Sequence, residues 1–277
     1  MEDFWNSVLQ FSLTTTETVG KQLIKDFGKL QATRKEDGSL VTQADKWADR
    51  EIIKAITTTF PHHGVLSEET QQVLPDKDWC WVVDPIDGTT NFTRGVPIWG
   101  ISLGLLYGGT PIFGLVHLPQ LNQSFYGYWY GDSGLTGPTG AYLNHSPIHT
   151  SADNPTNSHL FNICARSTAI FKQPFDDPQD KPFPCKIRAI GVATYNTLLV
   201  ACGAAIGGVE ATPKIWDIAA VWAIVQAAGG AFISLESEPI FPLEKGKNYA
   251  TRPFPSLVLS RQELVPQFKP LVQFLGD

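Results

Sequence analysis

The segment Trp81-Val82-Val83-Asp84-Pro85-Ile86-Asp87-Gly88-Thr89-Thr90-Asn91-Phe92 constrains this chain more than any other stretch. The apolar run Trp79-Cys80-Trp81-Val82-Val83 is too short for a helix and unbroken by polar residues, so it reads as a buried strand. That strand runs straight into Asp84 and delivers its carboxylate, rigidly held, at a sheet edge. Pro85 fixes the backbone angle and removes a donor, so the turn expected after it aims the Ile86 carbonyl and the Asp87 carboxylate toward one point. Converging oxygens suit magnesium, which takes carboxylates, carbonyls and water in octahedral geometry, better than softer metals. Gly88-Thr89-Thr90 is expected to open a helix whose N–H groups favour an anion such as a phosphoryl group.

Two further acidic positions share the logic of a carboxylate at the end of an ordered element. Leu66-Ser67-Glu68-Glu69 ends a short apolar strand in charge, which is costly unless a metal or solvent relieves it, and Glu68 is the candidate ligand. Glu69 reads as a neighbour without assigned chemistry. Asp217, in Trp216-Asp217-Ile218-Ala219-Ala220, precedes an apolar helix, where it serves either as an N-cap or as a ligand. A lone DPxDG is also a common turn, but the full string DPIDGTTNF exceeds what a turn requires.

The 277 residues allow one large α/β domain or two modest ones, with 43% hydrophobic and 17% charged residues, as in ordinary globular proteins. No apolar run approaches the roughly 20 residues of a membrane-spanning helix. The acidic start, Met1-Glu2-Asp3, lacks a secretory pattern, so a soluble, cytoplasmic protein without membrane association is expected. The net charge of −6 argues against a nucleic-acid polymer as partner, whereas bound cations would still admit a phosphorylated metabolite. Cys80, Cys164, Cys185 and Cys202 are widely spaced and read as free thiols.

Apolar spacing predicts a long helix over residues 2–30 and a second over 44–60 that carries Asp45 near its start. Strands follow at 64–67 and 79–83. Runs at 101–107 and 112–118 around Gly108-Gly109 predict a hairpin, and 124–130 a further antiparallel strand. The proline-bearing stretch 144–157 marks a boundary and 175–184 a loop. Beyond lie helices at 193–203 and 218–228 with strands near Val209 and Phe232. The expected arrangement is one unit of two halves, an α+β half over 1–143 with most acidic ligands and an α/β half over 144–277 with Asp217.

Together these residues resemble the inositol monophosphatase family, the magnesium-dependent, lithium-sensitive sugar phosphatases. The resemblance spans most of the chain in order: residues 37–45, Ser67-Glu68-Glu69, DPIDGTTNF at 84–92, residues 188–193 and WDIAA at 216–220. It implies a layered αβαβα sandwich of the inositol monophosphatase and fructose-1,6-bisphosphatase type, commonly a homodimer, with two or three Mg2+ per site. By resemblance one ion is held by Glu68, Asp84 and the Ile86 carbonyl, and a second by Asp84, Asp87 and Asp217. A weaker third ion lies near Glu68. Catalytic roles are implied for Thr89, which orients the attacking water, for Asp45, paired with the Thr89 hydroxyl, and for Glu68, which assists.

The implied substrate wall comprises Gly88, Thr89, Thr90, Gly191, Ala193 and Glu210, with Glu210 placed to accept hydrogen bonds from a polyol. The expected reaction is hydrolysis of a small phosphate monoester, such as inositol 1-phosphate, by direct in-line attack of water. Relatives acting on histidinol phosphate, fructose 1,6-bisphosphate or 3′-phosphoadenosine 5′-phosphate share these motifs, and a non-catalytic metabolite-binding scaffold is the reading from another class. Departures from the family pattern fall on Ser67, in place of a glycine, on Arg34 and Lys35, either of which stands where the family has a lysine, and on Gly191-Val192-Ala193-Thr194.

Overall fold

The computed structural model describes residues 2–34, 40–163 and 183–272. Cys164, Lys35 and most of the 175–184 stretch lie outside them. The chain begins with helix α1 (Glu2–Asp26), whose buried face carries Trp5, Val8, Val19 and Leu23. A short ribbon of β1 (Thr33–Arg34) and β2 (Leu40–Val41) leads into helix α2 (Gln43–Thr59). Thr42 and Asp45 form a capping box at the start of α2, which fixes the Asp45 side chain against the backbone it starts from.

A seven-stranded sheet follows. Its strands are β3 (Gly64–Ser67), β4 (Trp79–Asp87), β5 (Gly100–Tyr107), β6 (Thr110–Leu118), β7 (Gln123–Tyr128), β8 (Gly140–Leu143) and β9 (Ser146–Ile148), in sequential order. Strand β3 pairs parallel with β4, and β5 to β9 continue as an antiparallel meander. The sheet therefore extends to Ile148, past residue 143. The six-residue helix α3 (Thr89–Arg94) sits between β4 and β5.

The second sheet has five strands, β10 (Leu160–Ile163), β11 (Lys186–Ala189), β12 (Gly207–Glu210), β13 (Ala231–Ser234) and β14 (Ser256–Leu259), ordered β11-β10-β12-β14-β13. The β11-β10-β12 portion is parallel and the β12-β14-β13 portion antiparallel. Helices α4 (Ala193–Ala201) and α5 (Ile215–Ala227) lie between the two sheets, and the short α6 (Val265–Phe268) packs on the far face of the second through Phe268. With α1 and α2 on the outer face of the first sheet, the layers run α, β, α, β, α. Among the described residues no helix is long and apolar enough to cross a membrane.

Two sequence expectations are corrected. Pro85 is not followed by a turn: β4 stays extended through Asp87, and a register shift against β5 between Asp84 and Asp87 supplies the bend. Helix α5 starts at Ile215 rather than at residue 218, so Asp217 occupies its third position and is no N-cap. Buried between two sheets, α5 is apolar on nearly all sides, and hydrophobic spacing cannot mark where such a helix begins.

Glycines let α5 approach the first sheet. A Cβ on Gly114 would lie 2.0 Å from the Ala220 carbonyl oxygen, and one on Gly104 would lie 2.9 Å from the Ala219 Cβ. This contact seats the first turn of α5, and with it Asp217, over the acidic end of β4.

Candidate active site

Asp84, Asp87 and Asp217 converge, each offering a carboxylate oxygen within 4.8 Å of the others. Strand β4 supplies two of them and α5 the third. The Ile86 N–H donates to Asp84 Oδ1 at 3.0 Å, which fixes the carboxylate across the bulge. The Lys214 N–H donates to Asp217 Oδ2 at 2.7 Å, the reach-back of an acid at the third position of a helix. Asp87 accepts from the Thr194 N–H at 2.7 Å and from the Thr194 hydroxyl, and more weakly from the Ala193 N–H at 3.4 Å. Asp87 thereby caps α4 from outside, because the residue at the N-cap, Val192, has no side-chain acceptor.

Electrostatics mark this cluster as unstable without a cation. Burial first, then the charges of Glu68, Asp87 and Asp217, push the Asp84 carboxyl well above the usual carboxylate range. Asp217 is pushed up by burial and by Asp87 and Glu68. Asp84 and Asp217 are close enough for each to perturb the other directly. Burial also raises Asp87, against the pull of its bonds from Thr194 and Ala193. An all-oxygen donor set that is buried and mutually repelling fits a hard divalent cation.

Glu68 is outside this triplet but lines the same cavity of about 380 Å³ and is close enough for its charge to raise Asp84 and Asp217. Its backbone is held from both sides, its N–H donating to the Val83 carbonyl at 3.1 Å and its own carbonyl accepting from the Gln72 amide at 2.6 Å. Ser67, before it, is buried, and its hydroxyl oxygen accepts from the Thr70 and Gln71 N–H groups. It takes no positive φ, so the residue that replaces the family's glycine is unstrained here.

The Thr89 hydroxyl faces two acceptors, Asp45 Oδ1 at 3.1 Å and the Ile86 carbonyl oxygen at 3.2 Å. Asp45 Oδ2 in turn accepts from the Thr42 N–H at 2.7 Å and the Thr42 hydroxyl at 2.5 Å. Burial raises the Asp45 carboxyl and these hydrogen bonds oppose the rise. Gly88, at φ 89°, is the N-cap of α3, and a Cβ there would meet Val192 Cγ2 at 2.7 Å. The close approach of β4 to the α4 loop therefore requires glycine.

Glu210 lies at the end of β12 in the cavity wall. The Asn196 amide donates to its Oε1 at 2.6 Å, yet burial, with a contribution from Asp87, pushes its carboxyl to about 8. Gly191 and Ala193 also line the cavity, whereas Thr90 is exposed and absent from the lining. Arg34 is exposed on β1 and absent from it too. Sequence reasoning gave no role to Gln72, Thr194, Asn196 or Lys214; Thr194 meets Asp87 across 107 residues, whereas Gln72 and Lys214 bond to Glu68 and Asp217 four and three residues away and carried no motif to mark them. Cys80 and Cys185 are buried free thiols, and Cys202 is partly buried and free.

Residues 5–264 match the model of the inositol monophosphatase family. The chain belongs to that family. A histidinol-phosphatase of Chlorobaculum parvum is 32% identical over 232 residues, covering 80% of this chain and 83% of that protein. A fructose-1,6-bisphosphatase/inositol-1-monophosphatase of Aquifex aeolicus is 33% identical over 233 residues, covering 79% and 82%. Among solved structures, the Thermotoga maritima IMPase superposes with a TM-score of 0.75 at 26% identity, covering 95% of each chain. This member of the inositol monophosphatase family is thus a phosphoric monoester hydrolase with the layered sandwich of its relatives.

Proposed function

We propose that the protein is a Mg2+-dependent hydrolase of small polyol phosphate monoesters, with inositol 1-phosphate as the reference substrate, acting as a cytoplasmic homodimer. The observation that carries this reading is the triplet Asp84, Asp87 and Asp217, whose oxygens lie within 4.8 Å at the floor of a cavity. Asp84, Asp87 and Asp217, with Glu68 and the Ile86 carbonyl, would hold the ions. Bound Mg2+ would supply the positive charge that neutralises the phosphoryl oxygens and the departing alkoxide.

The protein's own groups do the rest. Because the Thr89 hydroxyl can donate to Asp45, its oxygen keeps lone pairs for a proton of the attacking water, which it orients in line with the scissile P–O bond. The water proton passes toward Asp45 as the new P–O bond forms and the ester P–O bond breaks, and Glu68 assists in holding the water. The N–H groups at Gly88 and Thr89 bind the phosphoryl oxygens. Gly191, Ala193 and Glu210 line the side that receives the alcohol, where Glu210 accepts from its hydroxyls. The chain works as one unit whose two halves meet at this cavity.

A phosphate-release assay tests the proposal, using inositol 1-phosphate, histidinol phosphate and 3′-phosphoadenosine 5′-phosphate with and without Mg2+. Mg2+-dependent release from the inositol ester is expected. Asp87→Asn should abolish it while the fold survives, since the change removes charge from a repelling cluster. Turnover of the nucleotide alone would refute the polyol assignment, and tight binding without turnover would refute catalysis.

A further inference from the structure

Helix α2 buries two carboxylates on one face. Asp45 and Asp49 stand one helical turn apart and are both fully enclosed, on the side that carries Ala48, Ile52 and Ile56. Asp45 has its explanation at the site, since it closes the capping box of α2 and faces the Thr89 hydroxyl. Asp49 needs a different one, because an apolar residue would fill such a position without the cost of desolvating a carboxylate. It lies past the first turn of α2, whose free N–H groups an acid could satisfy, so it is no cap. It also stands outside the acid triplet and does not line the cavity.

What Asp49 reaches is the loop that offers Glu68. The Thr70 hydroxyl donates to Asp49 Oδ2 at 2.6 Å, the length of a hydroxyl bonded to a charged acceptor. The loop folds back on itself directly after β3. The Ser67 N–H donates to the Gln71 carbonyl at 2.7 Å, while Ser67 Oγ accepts from the Gln71 N–H at 3.1 Å and the Thr70 N–H at 3.3 Å. Glu68 and Glu69 fall inside this closure. Thr70 and Gln71 are exposed, so one side of the loop faces solvent while the Thr70 hydroxyl is anchored on an acid that solvent does not reach.

We infer that Asp49 is a positioning residue for Glu68: through Thr70 it fixes the loop that presents the Glu68 carboxylate to the cavity. This rests on the reading of Glu68 as an ion-holding group given above. Two aspartate–threonine pairs on one helix then support the site, Asp45 with Thr89, which orients the water, and Asp49 with Thr70, which holds Glu68 in place. Glu68 and Thr89 come from separate segments, and one rigid element sets the spacing between them.

Thr70→Val removes the hydroxyl at an exposed position and keeps the shape of the side chain, and Thr70→Ser returns the hydroxyl. Calorimetric titration of the full-length protein with Mg2+ should show affinity falling roughly tenfold in Thr70→Val, the lower end for loss of a group that supports a metal ligand, and recovering in Thr70→Ser. Asp49→Ala should repeat the loss, and combining it with Thr70→Val should add little, because both changes remove the same contact. In a Glu68→Gln background Thr70→Val should shift Mg2+ affinity by less than about twofold, since the carboxylate being held is gone. Equal affinities in Thr70→Val and the parent overturn the inference, as does an equal loss with and without Glu68, which would mean a general loosening of the site. So does a Thr70→Val protein whose one change is a lower Tm in chelator, since the bond would then serve the fold alone. A parent protein that binds no Mg2+ would instead overturn the metal reading of the acid cluster, and this inference with it.

Discussion

Thr194 gives both its backbone N–H and its hydroxyl to a single oxygen of Asp87, Oδ2. The other oxygen, Oδ1, receives the long contact from the Ala193 N–H at 3.4 Å, so the two bonds from Thr194 lock the carboxylate in one rotation. An oxygen held this way is presented to a cation without further ordering. Removing the hydroxyl should weaken metal binding rather than chemistry. For Thr194→Val we expect Mg2+ affinity to fall by about tenfold, the lower end for loss of a ligand's hydrogen-bond partner. Thr194→Ser should restore it. Calorimetric Mg2+ titration of the three proteins checks this, and equal affinities would show that the hydroxyl serves only the helix.

Strand β6 presses against α5 at Gly114 so closely that any side chain there must displace the helix. A methyl group at Gly114 would collide with the Ala220 backbone at 2.0 Å, where nothing flexible can yield, while one at Gly104 meets the Ala219 Cβ at 2.9 Å. Overpacking of this kind costs about 1–3 kcal/mol, and a displacement near 1 Å in a catalytic group can cost roughly 10²-fold in rate. Gly114→Ala should therefore lower both Tm and kcat/KM, because Asp217 rides on the displaced helix. Gly104→Ala should show the milder loss of each. Thermal melts alongside phosphate release give the ranking, and a milder effect at Gly114 would contradict the packing account.

The site was legible where chemistry is local in the chain. Asp84 and Asp87 are three residues apart on one strand, and the Thr42–Asp45 capping box is written within four residues. What could not be read depended on segments meeting. Thr194 lies 107 residues from Asp87, and Lys214 reaches Thr251 across 37. Pro85 misled for a physical reason: proline is rare inside a central strand, so a turn was expected where a bulge keeps the strand extended. Thr90 looked equivalent to Thr89, yet one residue along a short helix turns a side chain from the cavity to solvent. Hydrophobic periodicity marked α1, α2, β3 to β7 and α4, but it did not mark β8 to β11 or β14, whose runs are only three or four residues long, and along α5 burial on all sides erases it.

His63 should destabilise the protein in acid. Its ring stacks between Phe60, at 4.9 Å, and Trp79, at 5.6 Å, while its Nδ1 accepts from the Trp81 indole at 3.2 Å. Burial, helped by the neighbouring His62 charge, lowers it from 6.5 to about 4. Between those values the unfolded chain binds a proton that the folded one refuses. The stability it contributes is complete above pH 6.5 and drains away as pH falls toward 4. His63→Phe keeps the stack without the titrating ring, so the fall in Tm between pH 7 and pH 5 should be smaller than in the parent. An identical fall in both proteins would assign the acid sensitivity elsewhere.

Glu210 and the acid cluster act in the opposite direction. Glu210 is raised from 4.5 to about 8, chiefly by burial, and Asp84 and Asp217 are raised as well. For each, the folded protein holds a proton that the unfolded chain has released, so the stability of the metal-free protein declines as pH climbs from about 4.5 through 8. Glu210→Gln, which stays neutral at every pH, should flatten part of that decline, and Asp84→Asn a further part. Mg2+ reverses the trend for the cluster because it binds the deprotonated carboxylates, so the Tm gain on adding Mg2+ should be larger at pH 8 than at pH 6. Glu210, outside the triplet, should leave that metal-dependent difference intact when replaced by Gln. Scanning calorimetry with chelator and with Mg2+ at the two pH values measures both quantities. A Mg2+ gain independent of pH would mean that the carboxylates of the cluster are already ionised in the free protein.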